Sequence, residues 1–238
     1  MSGAYRNQAL AALFLGLSAL AGCAGRPARQ PALPQSVAPS TEAGVRREGR
    51  AYQVAPADSL LTVLVYRGGA LARAGHNHVI AAHSLAGTIW VPADPQAASF
   101  EIHVPVNEFT IDEPALRAQE GADFSTEVPD SARDGTKKNM LSEPMLDGVR
   151  YPEVVLRSER LEIGSEGILA QVSVTIRGQT RTVTVPVHYE MHENEVRAQG
   201  QLTLKQTDLG LTPFSLLGGA LRVGDAMTVK FSLLARGE

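Results

Sequence analysis

The feature that most limits the possible folds of this chain is a strict two-residue alternation of apolar and polar side chains. In the segment SFEIHVPV, residues 99–106, every second side chain from Phe100 onward is apolar. Alternation of this kind is typical of strands with one apolar and one solvated face. Antiparallel sheets contain such strands, whereas buried parallel strands read as continuous apolar runs. Three later segments repeat the pattern, with apolar sets Val172, Val174 and Ile176; Val183, Val185 and Val187; and Met227, Val229, Phe231 and Leu233.

Short polar turns separate the alternating segments. RGQT, residues 177–180, offers Gly178 for a positive φ angle, so the strands on either side are predicted to form a hairpin. HENE, residues 192–195, indicates a second turn. About eight alternating segments lie between Tyr52 and Leu234, a number that fits a closed barrel or a sandwich. The sequence therefore predicts an all-β, antiparallel domain over residues 51–238.

One long polar insertion interrupts the alternation, from Asp112 to Pro152. It predicts a short helix that is capped by Asp130 or Ser131, runs to about Leu141 and is ended by Pro144. A segment of this length between strands usually has a function of its own. Two interpretations remain, a helical cap over one barrel end or a surface excursion. In a cap the apolar side chains would face inward, namely Met140, Leu141, Met145 and Leu146.

The N-terminus has the layout of a bacterial lipoprotein signal. Arg6 precedes an apolar run of roughly a dozen residues, which is short for a membrane-spanning helix of about 20. The run leads into Leu20-Ala21-Gly22-Cys23, which matches the lipobox, and Cys23 is the only cysteine of the chain. We expect residues 1–22 to be a cleaved signal peptide and Cys23 to carry lipid, since acyl chains anchor a protein in the membrane.

The next segment, residues 23–50, is rich in proline and alanine and is predicted to be a linker between the lipid and the domain. Ala24 after the cysteine favours sorting to the outer membrane. The expected location is therefore the cell envelope, on the outer membrane and facing the periplasm. With one cysteine, no intrachain disulfide can form.

Charge excludes one class of partner. The 238 residues carry a net charge of −3, with 20% charged side chains. A nucleic-acid-binding protein usually has a basic face and a high pI, so we expect no nucleic-acid partner. The oligomeric state stays open, a homodimer included.

Three of the six histidines lie in RAGHNHVIAAHS, residues 73–84. If residues 74–80 are extended, His76 and His78 point to the same face, whereas His83 has the opposite parity. We interpret His76 and His78 first as strand-end residues with an orienting or solvated role, second as contacts to a ligand head group. A metal site is the third interpretation, because imidazoles bind zinc, copper and nickel but stable sites need three or four ligands.

No catalytic pattern is found. Ser84 and His83 are adjacent on a strand and cannot face each other, and the G-x-S-x-G elbow is missing. The glycine-rich segment at 216–225 lacks the residues of a phosphate-binding loop. We therefore predict that the protein is not an enzyme.

Five segments, in chain order, resemble the successive blocks of the YceI-like family. They cover nearly all of residues 51–236 and read YQVAPADSLLTVLV, GTIWVPADPQAASFEIHVPVNEFTID, ARDGTKKNMLSEPMLDGVRYPEVVLRSERL, VSVTIRGQTRTVTVPV and VGDAMTVKFSLLA. The resemblance implies a single lipocalin-like barrel that binds a polyisoprenoid or similar amphiphile, such as an isoprenoid quinone, for storage or transport. The resemblance implies no cofactor besides this non-covalently bound lipid.

The interior of an eight-stranded barrel is narrow. It is either filled by the protein's own side chains or holds one slender ligand. Aromatic residues make up only 5% of the chain, which leaves room inside. The same residues would serve equally as ordinary core, so both interpretations stay open. The alternative function is periplasmic metal binding by His76 and His78. The candidate lining residues are Val104, Val106, Met140, Leu141, Val174, Ile176, Val185, Leu204, Val229 and Phe231.

Overall fold

The alternating segments form one antiparallel sheet that closes on itself. The computed structural model describes residues 47–165 and 167–237, so the predicted signal peptide, Cys23 and most of the predicted linker lie outside the described residues. The strands are β1 (Arg50–Val54), β2 (Leu60–Gly68), β3 (His78–Ala82), β4 (Ala86–Val91), β5 (Ser99–Pro105), β6 (Thr110–Ile111), β7 (Glu153–Gly164), β8 (Gly167–Ile176), β9 (Gln179–His192), β10 (Glu195–Lys205), β11 (Ser215–Leu216) and β12 (Leu221–Gly237). The helices are α1 (Pro114–Ala118) and α2 (Asp130–Leu141).

The barrel runs through β1, β4, β5, β7, β8, β9, β10 and β12, and β12 pairs back with β1. The other segments extend these strands. β1 and β2 pair with successive stretches of β12, separated by a short 3₁₀ turn at Pro56–Asp58. In the same way β3 pairs with β2 and β4 with β1, while β6 pairs with β3 and β5 with β4. The prediction of a closed antiparallel barrel of eight strands is confirmed, with three of the strands bent.

The predicted hairpin at RGQT is confirmed. β8 and β9 pair up to Ile176 and Gln179, and the two residues between them have φ angles of 50° at Arg177 and 69° at Gly178. Positive φ at both central positions is the geometry of the two-residue turns that match strand twist. A Cβ atom on Gly178 would also lie 2.9 Å from the Tyr151 ring. Glycine therefore fits this position for two reasons.

The polar insertion contains α1 and α2. α2 spans the predicted residues, but the predicted capping side chains are wrong, because Pro129 is the N-cap residue and no side chain caps the helix. Arg177 donates hydrogen bonds to the carbonyl oxygens of Glu143 and Pro144, which attaches the insertion to the β8–β9 turn. Among the described residues no helix is long and apolar enough to cross a bilayer.

One junction of the barrel is only partly paired. β9 and β10 pair from Glu195 and His192 to Gln199 and His188. Beyond that point β9 pairs only with β8 and β10 only with β12, as far as the described strands show. We call the unpaired stretch, residues 179–187 of β9 facing residues 200–205 of β10, the β9–β10 seam.

Candidate functional site

The barrel encloses an apolar cavity of about 460 Å³, within the range of ligand pockets of roughly 300–1,000 Å³. Aliphatic side chains from nearly every strand of the barrel dominate its lining. The exceptions that carry a polar group are His78, Thr136, Asn139, Tyr189, Gln206 and Thr212. Such a surface attracts a hydrocarbon chain by the hydrophobic effect and imposes little directional chemistry on it.

Eight of the ten predicted lining residues border the cavity, namely Val104, Met140, Val174, Ile176, Val185, Leu204, Val229 and Phe231. Val106 and Leu141 are placed elsewhere. β5 ends at Pro105, so the alternation stops there and Val106 packs, 1% exposed, in a buried core cluster. Leu141 packs against the same cluster without bordering the cavity, whereas its neighbour Met140 contacts both.

Sequence reasoning missed part of the lining. Leu61, Val63 and Val65 of β2 border the cavity as well. Their signal is present in the sequence, because they are the alternate residues of LLTVLV. The bend before β2 places this strand beside β12, where its apolar face turns inward.

The polar lining residues gather at one end of the cavity. His78 pairs with Val65, which pairs with Met227, and Met227 pairs with Leu204, so these residues lie in one row across the barrel. Gln206 follows two positions after Leu204 on the same side. We call this the polar end; its polar lining residues are His78, Thr136, Asn139, Gln206 and Thr212. Tyr189 lies toward the opposite end, opposite Ala198.

At the polar end, His78 is held by a buried carboxylate. His78 Nδ1 donates to Asp112 Oδ2 at 2.6 Å, while Asp112 Oδ1 accepts from the Val79 amide at 2.8 Å and from Arg117 Nη1 at 2.5 Å. The Asp112 side chain is fully buried. Burial alone would raise the pKa of Asp112, but the hydrogen bonds from His78 and from the Val79 amide outweigh it and lower that pKa. The ionised carboxylate therefore fixes the proton of His78 on Nδ1.

His76 packs on His78 without a polar partner of its own. The ring centroids are 4.4 Å apart and the planes meet at 64°. His76 Nε2 is shielded from solvent and has no hydrogen-bond partner among the described residues. Burial, and after it the neighbouring His78, lower the pKa of His76. The extended segment that this pairing assumed over residues 74–80 is present only from His78 onward, where β3 begins, yet the two rings still meet.

The structure adds Asp112 to the predicted pair, and one ligand atom from each of His76, His78 and Asp112 lies within 4.8 Å of the others. Asp112 stands 34 positions after His78, so no local spacing predicts this contact. His83 does not join them. Its Nε2 lies 2.7 Å from Glu113 Oε1 at the surface.

The chain matches the family model of the YceI-like domain over residues 52–235. It is similar to the crystal structure of BcnA from Burkholderia cenocepacia, with 18% identity, a TM-score of 0.56, and coverage of 76% of this chain and 99% of that one. It is also similar to a polyisoprenoid binding domain from Saccharophagus degradans implicated in plant cell wall breakdown. The identity there is 11%, the TM-score 0.53, and the coverage 79% and 99%.

At these identities the solved structures support the fold alone. No curated protein sequence matches the chain. The family model, in contrast, spans nearly all of the described residues, including every strand of the barrel in whole or in part. The chain belongs to the YceI-like family.

Proposed function

We propose that this protein binds one long amphiphilic lipid of the isoprenoid class, a polyisoprenoid or an isoprenoid quinone, inside its barrel. The observation that carries the proposal is the aliphatic cavity of about 460 Å³. The similar fold of a polyisoprenoid binding domain supports it. The role is binding, for storage, transport or sequestration of the lipid, rather than catalysis.

The tail would be held by burial of apolar surface. Each Å² of hydrocarbon removed from water contributes roughly 25 cal/mol, so a chain of several isoprene units needs no polar contact along its length. The methyl branches of such a chain fit a lining of Val, Leu and Ile side chains, which leave irregular space between them.

The head group would lie at the polar end. His78 borders the cavity there, and its Nε2 has no hydrogen-bond partner among the described residues because Asp112 engages only Nδ1. Since Nδ1 carries the proton, Nε2 presents a lone pair to a hydroxyl of the ligand. His76 reaches the cavity only through its contact with His78.

The experiment that tests the proposal compares two tryptophan substitutions on neighbouring residues of β9. Val185 borders the cavity, whereas Thr184 is exposed on the outer face of the same strand. Lipid is extracted from each purified protein with organic solvent and quantified by mass spectrometry. We expect Val185→Trp to carry at least tenfold less isoprenoid lipid than the wild type, because the indole fills the cavity.

The Thr184→Trp variant controls for any effect of the tryptophan outside the barrel and is expected to retain wild-type lipid content. A wild-type protein that carries no isoprenoid lipid, and takes none up from vesicles doped with a polyprenol, contradicts the proposal. Equal lipid content in the two variants contradicts the assignment of the cavity as its site.

We also propose that the protein is anchored by lipid on Cys23 to the outer membrane and faces the periplasm. The support is the lipobox in the sequence at residues 20–23. Substitution Cys23→Ser removes the thiol that would be acylated, so we expect the protein to leave the outer-membrane fraction. It would then appear as soluble periplasmic protein or as an uncleaved precursor. Unchanged fractionation of the variant contradicts the anchor.

A further inference from the structure

The histidine pair has a feature that lipid binding alone does not use. His76 Nε2 is buried without a hydrogen-bond partner among the described residues. A shielded polar atom without a partner costs free energy, and native proteins rarely retain one without a reason. An imidazole nitrogen in this state is either an acceptor for a group that enters the site or a ligand for a metal ion.

His78 supplies a second imidazole nitrogen beside it. The two rings are in contact, with centroids 4.4 Å apart, and the Asp112 carboxylate accepts a hydrogen bond from the N–H at Nδ1 of His78. The lone pair of His78 is therefore on Nε2. A carboxylate that fixes the tautomer and orientation of a histidine in this way is a common companion of histidine metal ligands.

Asp112 is itself held rigidly. It is fully buried, and its other oxygen accepts from Arg117 and from the Val79 amide. Arg117 is fixed in turn by the carbonyl oxygens of Asn77 and Thr126, at 2.7 and 2.9 Å. Asn77 lies between the two histidines, so the same network fixes the backbone that carries both rings. A site organised in this way before a ligand arrives loses little entropy on binding.

We propose that His76 and His78 bind a divalent transition metal ion of the zinc, copper or nickel class through their Nε2 atoms, with Asp112 as the residue that positions His78. Imidazole is a preferred ligand of these ions. Two imidazoles leave further coordination positions. Because His78 borders the cavity, we place these positions on the cavity side, where water fills them. When the ion is bound, an oxygen atom of the head group would bind the metal instead of donating a hydrogen bond to His78 Nε2.

The test uses two substitutions in the full-length chain. His78→Asn keeps an N–H donor near the position of Nδ1 for Asp112 and removes Nε2, so the buried network is preserved while the ligand is lost. His76→Phe keeps a ring packed on residue 78 and removes both nitrogens. Zn²⁺ is titrated into each protein and binding is measured by calorimetry. We expect each variant to lose at least tenfold in affinity at one site.

The matched control is the double variant His188→Ala/His192→Ala, which removes two exposed histidines of β9. It should bind Zn²⁺ as the wild type does. All proteins keep Cys23, so a difference between them reports the histidine pair. Equal Zn²⁺ binding by the wild type and both site variants, or no binding by the wild type, overturns the proposal.

A second measurement needs no substitution. Long-range ¹⁵N spectra of the histidine side chains of the wild type follow each imidazole nitrogen during the titration. We expect Zn²⁺ to move the Nε2 resonances of His76 and His78 before those of His188 and His192; movement in the reverse order contradicts the site. The lipid content is measured separately. A negative result for Zn²⁺ binding therefore leaves the lipid proposal intact, and a negative result for lipid content leaves the metal proposal intact.

Discussion

Asp112 connects two parts of the chain that sequence reasoning kept apart, the start of β3 and the polar insertion. Its amide donates to the Val79 carbonyl at 2.7 Å, and its carboxylate joins His78, Arg117 and the Val79 amide. The backbone at Asp112 has a φ angle of 54°, which aspartate and asparagine tolerate better than most residues. Sequence spacing predicted the histidine pair because its members are two positions apart. It could not predict Asp112, since only the folded barrel brings this residue to His78.

Asp112→Asn is expected to destabilise the protein by about 3 kcal/mol, because it leaves the buried Arg117 guanidinium without its counter-charge. Asparagine keeps the size of the side chain and tolerates the positive φ, so the loss reports charge. Urea unfolding monitored by circular dichroism measures it. Glu162→Gln is the control, because its ion pair with Arg160 is exposed and worth about 0.5 kcal/mol. If the two variants lose the same unfolding free energy, Asp112 does not act as the counter-charge of a buried Arg117.

Glu101 predicts a pH dependence of stability. Burial tends to raise its pKa, but hydrogen bonds from Arg157 and His103 outweigh this effect and lower the pKa to about 2, from an ordinary 4.5. Between these two values the unfolded chain binds a proton that the folded protein does not. The contribution of Glu101 to stability is therefore complete above about pH 4.5 and is lost as the pH falls toward 2.

The unfolding free energy of the wild type is expected to fall between pH 4.5 and pH 2.5. We expect this fall to be about 1 kcal/mol smaller in Glu101→Gln, a figure that allows for the screening of the carboxylate by solvent. Urea unfolding at a series of pH values measures this decrease. Glu162→Gln again serves as the control and should follow the wild type. If the unfolding free energy of Glu101→Gln falls with pH as steeply as that of the wild type, Glu101 is not the source of the pH dependence.

The strands could be predicted from the alternation of apolar and polar residues wherever a strand has one buried and one solvated face. β8 shows this directly, because Val172, Val174 and Ile176 are buried and all three were identified from the period alone. The bends were not predictable in this way. β1 continues into β2 across the turn at Pro56–Asp58 only because both pair with β12, and pairing between distant segments leaves no local trace.

The β8–β9 hairpin gives a prediction at this scale. Gly178→Ala places a methyl group at a positive φ angle and 2.9 Å from the Tyr151 ring, so we expect a loss of more than about 1 kcal/mol. Gly164→Ala is the control. Its φ is not positive and its nearest neighbour is 3.8 Å away, so stability should change little. The midpoints of thermal unfolding distinguish the two variants, and a Gly178→Ala midpoint as high as that of Gly164→Ala contradicts the argument.

The domain formed by the described residues is a barrel whose interior is only partly filled by its own side chains. The low aromatic content was compatible with this but did not decide it, because the same aliphatic side chains would serve equally as ordinary core. The sequence did not predict that the polar lining residues gather at one end, or that the β9–β10 seam exists. Both depend on the register between strands that are distant in sequence.

The seam predicts uneven hydrogen exchange. About half of the amides in residues 200–205 point away from β12, toward the seam, whereas β8 is paired on both sides. Peptides that cover 200–205 should therefore take up deuterium faster than peptides that cover 168–176. Mass spectrometry of the quenched protein measures both. Equal protection of the two strands contradicts an unpaired seam.

For the lipid ligand that we propose, the seam bears on how a long tail would be loaded. A tube that is paired all round accepts a chain only by threading it end-first, and the time for threading grows with every added isoprene unit. Around Val183 and Val185 no backbone hydrogen bonds join β9 to the stretch of β10 that carries Leu202 and Leu204, so we expect the strands to part there and admit the proposed tail broadside. For this barrel we expect the rate of transfer from vesicles to be nearly the same for short and long polyprenols.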